Sequence, residues 1–163
     1  MGILKWAVIV VVVLVIAVVL AGQAGLLKGR PPQDLGVRDG RLKPPSRTEN
    51  SVTSQAALYP DAPQRAYAQI EPLPLRGDGP ATLARLKAIV EATDGAAVVR
   101  STPDYLYAQY TTRLMKFVDD VEFWIDPVAG VVQVRSASRL GQRDFGANRQ
   151  RIEAVRAALA AAP

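Results

Sequence analysis

The sequence predicts an α+β domain behind a transmembrane helix: an antiparallel sheet of about five strands with helices packed on one face. Three observations predict it. Residues 67–163 read as strand, helix, four strands and helix (β-α-β-β-β-β-α), with connections between the last strands too short for a parallel crossover. Within that region Thr82–Thr93 and Ala147–Ala162 repeat apolar residues at helical spacing. Ahead of them an apolar run, Trp6–Leu27, is set off by a stretch rich in Pro and Gly. The chain therefore divides into an anchor (1–27), a linker or docking strap (28–66) and the α+β domain (67–163).

The apolar run, WAVIVVVVLVIAVVLAGQAGLL, holds 22 residues with Gln23 its only polar side chain of note. As a helix it is long enough to cross about 30 Å of hydrocarbon. Its valine content does not argue for a strand, because a lone strand in lipid leaves its backbone unpaired. A cleaved signal peptide is the competing reading, with Lys5 as the charged start and Gly22-Gln23-Ala24 as a poor cleavage site. The apolar core is longer than a typical signal core, so an uncleaved, single-pass anchor is expected. Flanking charge does not set the orientation, since Lys28 and Arg30 outnumber Lys5. Export of the domain is the expectation, with a cytoplasmic domain as the alternative.

The formal charge is +5, but with Lys5, Lys28 and Arg30 set aside the remainder carries 17 bases and 15 acids. So even a balance argues against a nucleic-acid partner. There is no cysteine, which excludes internal disulfides, thiolate nucleophiles and cysteine metal sites. The lack of histidine removes the commonest general base and metal ligand. No cofactor is expected. The expected partners are the membrane, through the N-terminal helix, and a protein or a small anionic ligand.

Residues 28–66 carry Pro31-Pro32 and Pro44-Pro45, which favour extended backbone, and no regular element longer than a turn is expected there. The stretch is either a spacer, dispensable for stability, or a strap docked through Leu35, Val37, Leu42 and Val52. Ala66–Leu75 is expected to be a first strand, ended by Pro72 and Pro74. Arg76–Pro80 is turn chemistry, and its Arg-Gly-Asp triplet is a chance match. The helix over Thr82–Thr93 buries Leu83, Leu86, Ile89 and Val90, and Gly95 suits a left-handed cap. Strands are expected over Ala96–Ser101, Asp104–Leu114, Phe117–Ile125 and Val131–Ala137.

Alternation sets the register of the last hairpin, because a one-residue slip would turn apolar residues to the wrong face. Ile125 faces Val132, Phe123 faces Val134 and Val121 faces Ser136 on an apolar side. Glu122 faces Arg135, Trp124 faces Gln133 and Asp120 faces Ala137 on the other, wetter side. Glu122–Arg135 is then an exposed cross-strand pair worth up to about 1 kcal/mol. Asp119 lies on the apolar side and needs a partner. The final helix presents Ile152, Val155 and Leu159, with Asp144 as a candidate cap and Asn148 near its positive end.

Five blocks carry a family resemblance: PPQDLGVRDGRL (31–42), NSVTSQA (50–56), FVDDVEFWID (117–126), VRSASRLG (134–141) and DFGANRQRIE (144–153). Together they resemble the domain-of-unknown-function family numbered 1499, found in bacteria and in plastid-related proteins. The resemblance implies no established activity. With the N-terminal anchor and the expected export, a bacterial inner-membrane protein with its soluble domain in the periplasm is expected. Family members commonly carry two cysteines in a proline-rich loop, where this chain has Pro44-Pro45-Ser46 and Asn50–Ser54, and a histidine near the first strand is also missing. Joint loss of the cysteines implies a dispensable disulfide. Any shared function would rest on Asp119, Asp120, Glu122, Arg135, Ser136, Ser138, Arg139, Asp144, Asn148 and Arg149.

Three roles compete for these residues. The acids could hold a hard cation or act as acid and base, but strand geometry sends Asp119 and Asp120 to opposite faces, and no metal site is expected. Arg135-Ser136-Ala137-Ser138-Arg139 could hold a carboxylate or phosphate. Alternatively, the arginines lock the hairpin and last helix through buried pairs with Asp119, Asp120 and Asp144, which is the favoured account. Ser136 and Ser138 have no histidine to activate them. A non-enzymatic, membrane-anchored envelope domain that binds a partner or ligand is therefore expected. A hydrolase-like enzyme using the acid–arginine cluster and a lipid-binding domain are the alternatives.

Overall fold

The computed structural model describes residues 2–161. The apolar run forms helix α1 (Gly2–Gln23), followed by a turn in which Gly25 has a left-handed backbone (φ +83°). In chain order there follow β1 (Ser51–Thr53), one 3-10 turn (Ala56–Leu58), the short helix α2 (Arg65–Ala68) and β2 (Leu73–Pro74). Helix α3 (Gly79–Glu91), strands β3 (Ala96–Ser101), β4 (Tyr105–Thr111), β5 (Val118–Asp126) and β6 (Val131–Ser138), and helix α4 (Ala147–Ala161) complete the described chain. The α+β class predicted from the sequence is the one observed. The sheet is antiparallel with six strands, in the order β1-β6-β5-β4-β3, and β2 also pairs with β6.

The β5–β6 register is the one that alternation predicts, from Asp120 opposite Ala137 through Ile125 opposite Val132. Its apolar side meets α3 and α4. Val121, Phe123, Val132 and Val134 pack with Leu83, Leu86 and Val90 of α3 and Ile152, Val155 and Leu159 of α4. Each such side chain, fully buried, contributes about 1.5–3 kcal/mol. Helix α3 begins three residues before the predicted start. Asp78 accepts a hydrogen bond from Ala81 N at 2.7 Å and Pro80 sits in the first turn, so the Arg-Gly-Asp triplet ends on a helix cap.

Two expectations for the first half are corrected. Ala66–Leu75 is not one strand: α2 takes its start and only Leu73–Pro74 pairs with β6. Alternation over so few residues, with prolines at 72 and 74, cannot sustain a ladder. Residues before Tyr67 are also not free of regular structure, since β1 closes one edge of the sheet against β6. The segment between α1 and β1 crosses the second face of the sheet and docks there. Leu42 is 1% exposed and packs with Tyr105 and Trp124, with Val37 and Tyr107 beside them. A spacer would leave that face wet; this strap covers it.

Candidate functional site

Strand alternation splits the strand residues among the ten singled out by sequence between the two faces of the sheet. On the helix face, Asp119 (β5) pairs with Arg151 (α4), whose guanidinium also lies 4.8 Å from the centre of the Tyr110 ring. Arg151 Nη1 donates to Ser136 Oγ at 2.9 Å and to Asn148 Oδ1 at 2.8 Å. The fully buried Asn148 donates through Nδ2 to Asn50 O, Ser138 Oγ and Asp144 Oδ2, joining α4 to β6 and to the chain entering β1. Ser136 is buried with its hydroxyl donated to Asn148 Oδ1. This network binds elements to one another; apart from Tyr110 OH and Asn50 Oδ1, which are buried without a partner, its hydroxyls and amides are occupied by protein groups.

Asp144 pairs with no arginine, contrary to the buried pair expected for it. Its carboxylate accepts from Tyr67 OH, from Gly146 N at 3.0 Å and from Asn148 N at 3.1 Å, which is the cap that sequence position implied. Burial alone would raise its pKa, but these hydrogen bonds hold it below the usual carboxylate range. Arg149 turns away from the cluster and donates to the carbonyls of Tyr67 and Gln69.

The strap face holds Asp120, Glu122, Arg135 and Arg139. It is not the wetter face expected from alternation: Glu122 is 0% exposed and Asp120 2%. Arg139 grips Asp120 with two hydrogen bonds, Nε to Oδ2 at 2.9 Å and Nη2 to Oδ1 at 2.7 Å. Tyr107 OH adds a third at 2.6 Å. Glu122 Oε1 accepts from Tyr105 OH at 2.7 Å and from the backbone N–H of Gly36 in the strap at 2.8 Å. Gly36 has φ +111°, a conformation open to glycine, and a side chain there would press on Arg100. Burial, with Glu122 beside it, pushes the Tyr105 phenol well above its ordinary pKa.

Arg135 is the exception among these satisfied groups. It is 4% exposed, yet its closest carboxylate contact is Nη1 to Glu122 Oε2 at 3.7 Å, and Glu122 Oε2 accepts no hydrogen bond. The other polar contact is a long one, Nε to Pro44 O at 3.4 Å. Burial lowers its pKa despite the neighbouring acids, so its charge is under-compensated. Arg135 lines a cleft of about 430 Å³ between the strap and β6, together with Arg30, Lys43, Arg47 and Arg139. Pro44 and Pro45 form a wall, and the one lining acid, Asp120, is engaged by Arg139. Such a cleft can hold a carboxylate or phosphate through charge-assisted hydrogen bonds.

Sequence reasoning found Arg135 and Arg139 but not Lys43, Arg47 or Arg30, because the strap brings them from far along the chain. Tyr105 and Tyr107 had a signal. They share the strand parity of residues facing Asp120 and Glu122, since Tyr107 lies opposite Glu122.

No curated protein and no solved structure matches the chain. The model of a family described as a protein of unknown function (DUF1499) matches residues 41–159, which covers the second half of the strap, the whole sheet and α4 almost to its end. The chain belongs to that family.

Proposed function

We propose that this protein is a single-pass membrane protein of the bacterial envelope whose domain, on the periplasmic side of the inner membrane, binds a small carboxylate or phosphate in the strap cleft. The observation that carries the reading is Arg135: a buried guanidinium with no carboxylate nearer than Glu122 Oε2 at 3.7 Å, at the wall of a cleft with four further cations, of which Lys43 is paired with Asp34 and Arg139 with Asp120. Burying an ion costs several kcal/mol unless it is paired, and an anion in the cleft would supply that pairing. The apolar length of α1 supports retention in the membrane. Binding rather than hydrolysis is favoured because Asp120 is engaged by Arg139 and Tyr107, while Ser136 is sealed beneath α4.

Calorimetry of the full-length protein in lipid nanodiscs, titrated with phosphate, citrate and nucleotides at constant ionic strength, tests this. Arg47→Ala, which removes a cation without a partner among the described residues, should weaken binding about tenfold and leave the melting temperature unchanged. The absence of heat or stabilisation with every anion would refute the reading.

A further inference from the structure

Helix α1 is pinned to one end of the domain. Gln23 Nε2 donates to Leu114 O at 2.8 Å, and Gly22 packs so closely on Met115 that a Cβ would fall 2.5 Å from its carbonyl oxygen. The β4–β5 turn therefore stands level with the last turn of the apolar helix. The loop between β6 and α4 lies at the same end, because β5 starts and β6 finishes there. These loops expose Leu114, Leu140 and Phe145, with Phe145 at 89%. Lys28, Arg113 and Lys116 around them have no ion-pair partner among the described residues.

Phe145 is not exposed by chance of a floppy loop. Its backbone is left-handed (φ +52°), a costly conformation for a bulky residue, and Asp144 holds it there by accepting from Gly146 N and Ala147 N. Lys116, in the other loop, is left-handed too (φ +56°). An aromatic held outward, two leucines and unpaired cations are the composition that seats in the boundary between lipid headgroups and acyl chains. A helix that spans the bilayer leaves that boundary at the level of Leu114.

We propose that this end of the domain docks on the bilayer that holds α1, with Phe145, Leu114 and Leu140 inserted below the headgroups and Lys28, Arg113 and Lys116 on anionic lipid phosphates. The inference rests on the reading of α1 as a retained anchor. Docking fixes the domain's tilt and sets the cleft close to the membrane, since Arg139 lines the cleft and Leu140 is its neighbour in the docking surface.

The chain has no cysteine, so single spin labels can be placed without background. Full-length F145C, L114C and V128C are labelled in nanodiscs of phosphatidylcholine and phosphatidylglycerol, with V13C as a marker inside the span. Val128 is 96% exposed at the opposite end of the sheet and serves as the aqueous control. The ratio of oxygen to nickel-chelate collisions at 145 and 114 should exceed that at 128 about tenfold. It should fall severalfold in R113E/K116E or in pure phosphatidylcholine. A label at 145 as aqueous as the one at 128, with 13 deep in lipid, overturns the docking while the anchor stands. A label at 145 shielded from both reagents assigns the surface to a protein partner and likewise overturns it. If the label at 13 is itself aqueous, the anchor reading fails and docking with it.

Discussion

Glu122 ties the strap to the sheet, and Glu122→Ala measures that tie. The substitution removes the acceptor for Gly36 N–H and Tyr105 OH, both within 2.8 Å, and the only carboxylate within 4 Å of Arg135 among the described residues. Breaking a buried pair by deleting one partner costs about 3–5 kcal/mol, against a total of roughly 5–15 kcal/mol for a domain. In a domain of this size that lowers the melting temperature by about 10–20 °C. The assay is a urea melt of the full-length protein in nanodiscs, followed by far-UV circular dichroism and by Trp124, the one tryptophan outside α1. Replacing both partners by apolar residues, Glu122→Leu with Arg135→Met, should lose less, because no charge is left stranded, although Gly36 N–H and Tyr105 OH still lose their acceptor. A cooperative Glu122→Ala protein within about 1 kcal/mol of the parent, as for an exposed acid, would refute the reasoning.

Asp119→Ala should also cost about 3–5 kcal/mol by stranding Arg151 beneath α4, whereas Arg143→Ala, at the exposed Glu49 pair, should cost about 1 kcal/mol or less; paired urea melts compare them. Deleting residues 28–42 should destabilise the domain, because it removes Leu42 and the Gly36–Glu122 bond, and a lowered thermal midpoint is the check. The Asp144 carboxyl titrates below its ordinary value, so its contribution is complete above about pH 4 and is lost as the pH falls through the lower, folded value. Urea midpoints recorded from neutral pH down to about pH 2 should therefore decline less steeply in Asp144→Asn than in the parent.

How much of this molecule its sequence determined follows from the range of the forces involved. Side-chain direction alternates residue by residue along a strand, so the β5–β6 register and the assignment of Asp119 and Asp120 to opposite faces were legible locally. Helical periodicity likewise identified the buried faces of α3 and α4. What covers the second face was not legible. Alternation says which residues share a side and nothing about whether another segment lies on it. Prolines at 31, 32, 44 and 45 announce extended backbone equally for a free spacer and a docked strap. Only the tertiary structure brings Gly36 to Glu122 and Pro44 to Arg135, 86 and 91 residues apart in sequence. Those contacts turned an expected surface ion pair into a buried, incompletely matched one, and they gathered strap and strand cations into a single cleft. No local pattern encodes such pairings, because they depend on where the chain returns after folding around the sheet.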